Sequence, residues 1–175
     1  MYTYKVGENI DVSEVVFLND LYIAVMTDME DKKYKSKLMV SYDYLKWRKS
    51  YIDDDKYTIY PSIVYTNGLY LIYVRETKEN GKCKLLYSKD CLMWKECGLN
   101  NIDYVHKIAA GDGVFCCVYS ENGTMKLVYS FDAIEWKHEN RLKPTENIYN
   151  LMTHNKRIYV MYGGNELVKL SSICV

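Results

Sequence analysis

Three segments of the chain carry a serine, an aspartate two residues later and a tryptophan four residues after that: SYDYLKW from Ser41 to Trp47, SKDCLMW from Ser88 to Trp94, and SFDAIEW from Ser130 to Trp136. They use all three tryptophans of the 175-residue chain, and their serines are 47 and 42 residues apart. A period of this size is that of one supersecondary unit stacked on copies of itself, so it constrains the fold more than any local propensity does. Each motif follows a short apolar run (KLMV, KLLY, KLVY), and upstream of it lies a second run: LYIAV from Leu21, LYLIYV from Leu69 and VFCCVY from Val114. A fourth such run, IYVMY from Ile158, makes four units. The second position of each is aromatic (Tyr22, Tyr70, Phe115, Tyr159), which predicts one ring at the same point of every unit.

The turns before these runs, Asn19-Asp20, Asn67-Gly68, Gly111-Asp112-Gly113 and the segment around Asn155, carry the residue types that tight hairpins need for positive φ. Apolar residues alternate or run for four to six positions between turns, with many Tyr, Val and Ile, so the period is that of strands. Each unit therefore reads as a four-stranded antiparallel meander. The sequence predicts an all-β single domain, a small four-bladed β-propeller, with blades at approximately 12–55, 56–101, 102–145 and 146–175. The fourth unit ends before an aspartate and tryptophan appear. Residues 1–6, MYTYKV, are expected to supply its outer strand and close the ring, since closure removes open sheet edges. An open arc of four blades pairing with a second copy is the competing arrangement.

In the motif itself, an aspartate carboxylate can accept backbone N–H groups of its own bend, the serine hydroxyl ties the same loop, and the tryptophan buries its ring while its N–H seeks an acceptor. Equal positions imply equal jobs, so Ser41, Asp43, Trp47, Ser88, Asp90, Trp94, Ser130, Asp132 and Trp136 are assigned a structural role. The motif resembles the Asp box of sialidase-like β-propellers, in a shorter form. That resemblance implies a structural device on the rim, away from any active site. The usual form has a glycine after or near the aspartate; here Tyr44, Cys91 and Ala133 follow it.

Chemistry is sparse in the sequence. Sialidases clamp a carboxylate with three arginines, a bidentate task for which arginine is suited. This chain has four arginines in all, none in an Arg-Ile-Pro setting. His106, His138 and His154 lie in different units without metal-ligand spacing, and GDG at Gly111 and GGN at Gly163 open no helix. The run Asp53-Asp54-Asp55 is read as a linker rather than a calcium site. No catalytic residue, metal or cofactor is assigned, ligand-binding residues stay unassigned, and the chain is expected not to be an enzyme. Lys+Arg and Asp+Glu are equal at 23 each, which argues against nucleic acid. No stretch approaches the roughly 18 apolar residues of a membrane helix, and no signal peptide is read at the N-terminus. The six cysteines include the neighbours Cys116 and Cys117 and no CxxC, so buried reduced thiols are expected.

These readings lead to a non-catalytic structural or docking module whose partners are other proteins of a larger assembly, with 19 tyrosines suited to interfaces. The short repeats resemble those of phage virion and prophage-encoded proteins, which implies a tail, baseplate or capsid-decorating component in the virion after synthesis in a bacterial cytoplasm. A lectin or a receptor-binding propeller contacting glycans is the alternative. A homo-oligomer is left open, and a sialidase-like glycosidase ranks last.

Overall fold

The computed structural model describes residues 10–28, 35–140, 147–163 and 168–175. It is all-β, with fifteen strands in four antiparallel sheets and no helix among the described residues, as the repeat predicts. The first blade is β1 (Ile10–Leu18), β2 (Leu21–Asp28), β3 (Ser36–Ser41) and β4 (Arg48–Lys49). The second is β5 (Tyr57–Thr66), β6 (Leu69–Glu76), β7 (Cys83–Ser88) and β8 (Lys95–Glu96). The third is β9 (Tyr104–Gly111), β10 (Val114–Glu121), β11 (Thr124–Ser130) and β12 (Lys137–Glu139). The fourth has β13 (Asn147–His154), β14 (Arg157–Gly163) and β15 (Val168–Cys174), three strands among the described residues. The expected closing strand, residues 1–6, lies outside the described residues.

All four blades open with a two-residue hairpin in which both residues take positive φ: Asn19-Asp20, Asn67-Gly68, Asp112-Gly113 and Asn155-Lys156. This is the turn whose twist matches that of the flanking strands. The fourth hairpin corrects one expectation. Its turn is Asn155-Lys156, so Ile158 stands where Tyr22, Tyr70 and Phe115 stand, and Tyr159 points to the opposite face. The fourth equivalent position is thus aliphatic, because the turn falls one residue later than an alignment on the aromatic implies.

Directly opposite residues of an antiparallel pair share a face, so the register assigns each side chain to one side of its blade. Ile23, Val25 and Leu38 of the first blade pack on Tyr70, Ile72 and Val74 of the second. Leu71 and Leu85 of the second pack on Phe115, Cys117 and Tyr119 of the third. Cys116, Val118 and Leu127 of the third pack on Ile158 and Val160 of the fourth. Five cysteines sit inside this core and Cys174 is exposed. Burial pushes the thiols of Cys91, Cys97, Cys116 and Cys117 up, to about 12 for Cys97, so they behave as small apolar side chains.

Candidate functional site

Each serine, aspartate and tryptophan repeat closes the same loop. Asp43 Oδ1 accepts Leu45 N at 2.9 Å, Lys46 N at 2.8 Å and Ser41 Oγ at 3.1 Å. Asp90 does so with Leu92 N, Met93 N and Ser88 Oγ, and Asp132 with Ile134 N, Glu135 N and Ser130 Oγ. The three half-buried tryptophans donate their indole N–H to Tyr44 O, Cys91 O and Ala133 O, each at 3.2 Å. Those three carbonyl residues have φ of 63°, 58° and 60°. The conformation in which the usual glycine is favoured is kept here by residues that bear a Cβ, at a cost of roughly 1 kcal/mol each. Backbone donors from Lys46 and Leu45 hold the Asp43 carboxyl below its ordinary range, and those from Glu135 and Ile134 do the same for Asp132. At Asp90 burial pushes upward but the bonds from Met93 and Leu92 outweigh it. All three carboxylates are committed to their own bends.

The hairpin turns and these bends share one end of the molecule: Asn67 Nδ2 donates to Gly113 O at 2.8 Å and to Phe131 O at 2.9 Å. At the opposite half of the innermost strands, every blade breaks register. β1 is bulged between Val12 and Glu14, β5 between Ile59 and Ile63, β9 between Val105 and Lys107, and β13 between Ile148 and Asn150. β5 neighbours both β1 and β9, and β9 neighbours β13, so the bulges belong to one region. Bulges of this kind re-aim side chains and are enriched beside active sites. Four residues before each turn-flanking position stand Glu14, Ser62, Lys107 and Asn150. Where the Asp-box residues are the same in three blades, this polar belt differs in every one.

The first blade places two carboxyl groups at its bulge. In a regular strand, residues three apart face opposite sides. The bulge at Ser13 reverses that parity: Asp11 pairs with Thr27 and Glu14 with Val25, so both carboxylates emerge on the same face, with their cross-strand partners two residues and hence about 7 Å apart along the strand. Asp11 is exposed. Glu14 is half-buried, its Oε2 is enclosed without a hydrogen-bond partner among the described residues, and burial raises its carboxyl above the ordinary range.

The second and third blades carry further polar and aromatic groups at this half of their strands. His106 Nε2 lies 2.7 Å from Ser120 Oγ, and burial lowers its basicity. Tyr60 stacks on Tyr73, whose hydroxyl is pushed up to about 12 by burial, and Tyr104 meets His106 edge to face. A polar cleft of about 390 Å³ opens at the start of β5, lined by Lys35, Asp54, Asp55, Tyr57, Thr58 and Thr77. The carboxylates of Asp53, Asp54 and Asp55 converge within 4.8 Å. They are already engaged: Asp54 with Lys49 at 2.7 Å, Asp55 with Lys35, and Asp53 with the backbone N–H groups of Asp55 and Lys56. His138 and His154 join no metal-ligand cluster among the described residues.

No protein-family model and no curated protein matches the chain. Solved structures do. A family 117 glycoside hydrolase, Zg3597, produced by the marine bacterium Zobellia galactanivorans, is 14% identical and superposes with a TM-score of 0.52 over 98% of this chain and 69% of its own. A glycosyl hydrolase from Bacteroides ovatus is 11% identical, with a TM-score of 0.47 over 86% of this chain and 59% of its own. Fructan 1-exohydrolase IIa from Cichorium intybus is 12% identical, with a TM-score of 0.48 over 94% of this chain and 41% of its own. The chain therefore spans about three fifths of the bacterial hydrolases it matches, and the likeness is one of fold. The likeness to the family 117 glycoside hydrolase overturns two expectations: a non-catalytic docking module of a phage virion, with a lectin or receptor-binding propeller as its alternative, and the reading that the chain is not an enzyme. The arginines, histidines, glycine-rich turns and acidic run offered no catalytic pattern in the sequence, and the placement of Asp11 and Glu14 left one trace there: the alternation of IDVSEVVFL is broken at its centre.

Proposed function

We propose that the chain is a carbohydrate-processing enzyme that cleaves a glycosidic bond at the bulged ends of its innermost strands, with Glu14 as the proton donor and Asp11 as the base. The observation that carries this reading is the bulge at Ser13, which sets two carboxyl groups on one face, one oxygen of Glu14 being enclosed without a partner among the described residues. Glycoside hydrolysis uses two carboxyl groups in different settings, one that protonates the leaving oxygen and one that activates water or attacks, and burial raises the Glu14 carboxyl above its ordinary value. Asp11, at the solvent side, suits activation of a water. Likeness to the family 117 glycoside hydrolase supports a glycan as substrate.

The test is release of reducing ends from a panel of plant, algal and bacterial glycans by the purified chain. Glu14→Gln is expected to cut kcat by about 10²–10⁴-fold, the usual contribution of a positioned acid. Turnover equal to that of the unaltered protein would remove Glu14 from the mechanism, and failure to cleave any of the glycans would remove the reading itself.

A further inference from the structure

We infer that Ser120 and His106 form a nucleophile–base pair on the third blade, a reactive centre of its own beside the carboxyl pair of the first blade, and that it takes carboxylic esters as acyl donors. The contact is direct: His106 Nε2 lies 2.7 Å from Ser120 Oγ. A serine hydroxyl becomes a nucleophile when a base within about 2.6–3.2 Å can take its proton.

The bulge of the third blade makes this contact. Tyr104 stands directly opposite Ser120 and Val105 opposite Tyr119, but Lys107 rather than His106 stands opposite Val118. In an unbroken ladder His106 would face Val118, two residues and so about 7 Å along the strand from Ser120. As the extra residue it has no place in the ladder, and its ring turns back to the serine. The strand position of Ser120 holds Thr27 in the first blade, Arg75 in the second and Gly163 in the fourth, and the bulges there fall at Ser13, at Tyr60 to Ser62 and at Tyr149. None of these places holds a histidine. The Asp-box bonds recur in three blades because the bends need them, whereas this bond belongs to the third blade and the repeat does not require it.

The setting suits the role. Ser120 and His106 are both half-buried, so a small ester can reach the hydroxyl while the ring is partly withdrawn from water. Burial lowers the basicity of His106, which keeps the ring neutral; in the tautomer with its proton on Nδ1, Nε2 accepts the hydroxyl proton. Tyr104, 49% exposed, packs edge to face on the ring at 5.1 Å between centroids and limits its rotation. As Ser120 Oγ attacks the acyl carbon, its proton passes to His106 Nε2; the bond from that carbon to the alcohol oxygen breaks, and the proton goes to the departing alcohol. Water then attacks the acyl-serine by the same route, its proton passing through Nε2 to Ser120 Oγ as the acid leaves.

The experiment treats the folded full chain with a fluorophosphonate, which phosphonylates serines activated by a base, and locates the adduct by peptide mass spectrometry. Because the readout is a covalent adduct, it does not depend on cleavage of any glycan. Phosphonylation is expected at Ser120, absent in Ser120→Ala and slowed by about 10²-fold in His106→Gln, the usual contribution of a positioned base. Hydrolysis of p-nitrophenyl acetate by the unaltered chain is expected to be lost in Ser120→Ala. Circular dichroism checks that the variants fold, and His106→Asn serves should His106→Gln not fold. An unaltered chain with no adduct at Ser120, adducts formed at equal rates on other serines, labelling of the folded His106 variant as fast as that of the unaltered chain, or ester hydrolysis unchanged in Ser120→Ala each overturns the proposal.

Discussion

Replacing Lys156 by glycine should stabilise the protein. Lys156 is the second residue of the fourth hairpin, with φ of 54°, in the place that Gly68 and Gly113 take in the second and third. A side chain with a Cβ in this region costs roughly 1–2 kcal/mol. Glycine removes that cost but gives the unfolded chain about 0.5–1 kcal/mol of additional conformational entropy. The net gain is about 0.5–1 kcal/mol, which for a chain of this size raises Tm by about 1–4 °C. No contact is lost in exchange, because the exposed side chain carries no tertiary bond among the described residues and the carbonyl, which accepts Val175 N at 3.0 Å, is retained. The reciprocal change is Gly68→Ala. A Cβ at Gly68 meets nothing within 4 Å, so its effect is purely one of backbone conformation, a loss of about 1 kcal/mol. Thermal and urea unfolding at one fixed protein concentration, with unchanged m-values, report both. A neutral or destabilising Lys156→Gly beside a destabilising Gly68→Ala would refute the reasoning, since the two positions are structurally equivalent.

Glu14→Gln should raise Tm at neutral pH. Burial lifts the folded-state carboxyl above its ordinary value, so ionisation penalises the folded state as pH rises through the glutamate range, and the advantage of Gln should vanish as pH falls below that range; an equal gain at acid and neutral pH contradicts this. Asp132→Ala removes the acceptor for two backbone N–H groups and a hydroxyl and should cost about 1 kcal/mol, solvent exposure of the bend keeping the loss small. Because those donors depress the Asp132 carboxyl, its contribution is present above the ordinary carboxylate value near 3.8 and lost as pH falls through the lower folded value, so an acid titration of stability should show the variant and the parent converging. Trp94→Phe should cost about 1–2 kcal/mol and more than Trp47→Phe, since Trp94 Nε1 donates at 2.7 Å to Ser50 of the preceding blade as well as to its own bend, and equal losses would deny that inter-blade bond its role.

The sequence by itself determined the number of blades, the antiparallel meander and the bends, because each rests on interactions local in the chain. The Asn-Gly and Asp-Gly turns need positive φ within two residues, and the aspartate of each Ser-Asp-Trp motif reaches donors two and three positions away. Where a local signal was weak, as at Asn155-Lys156, the reading slipped by one residue and set Tyr159 on the wrong face. The remaining features depend on strands and blades far apart in the chain. A bulge exists against a partner strand, so no inspection of IDVSEVVFL alone could place Asp11 and Glu14 on one side, or enclose one oxygen of Glu14. Whether Leu170 is core or surface likewise depends on what packs beside its blade: its position in the repeat matches Leu38, Leu85 and Leu127, which are each 1% exposed, yet it is itself 62% exposed.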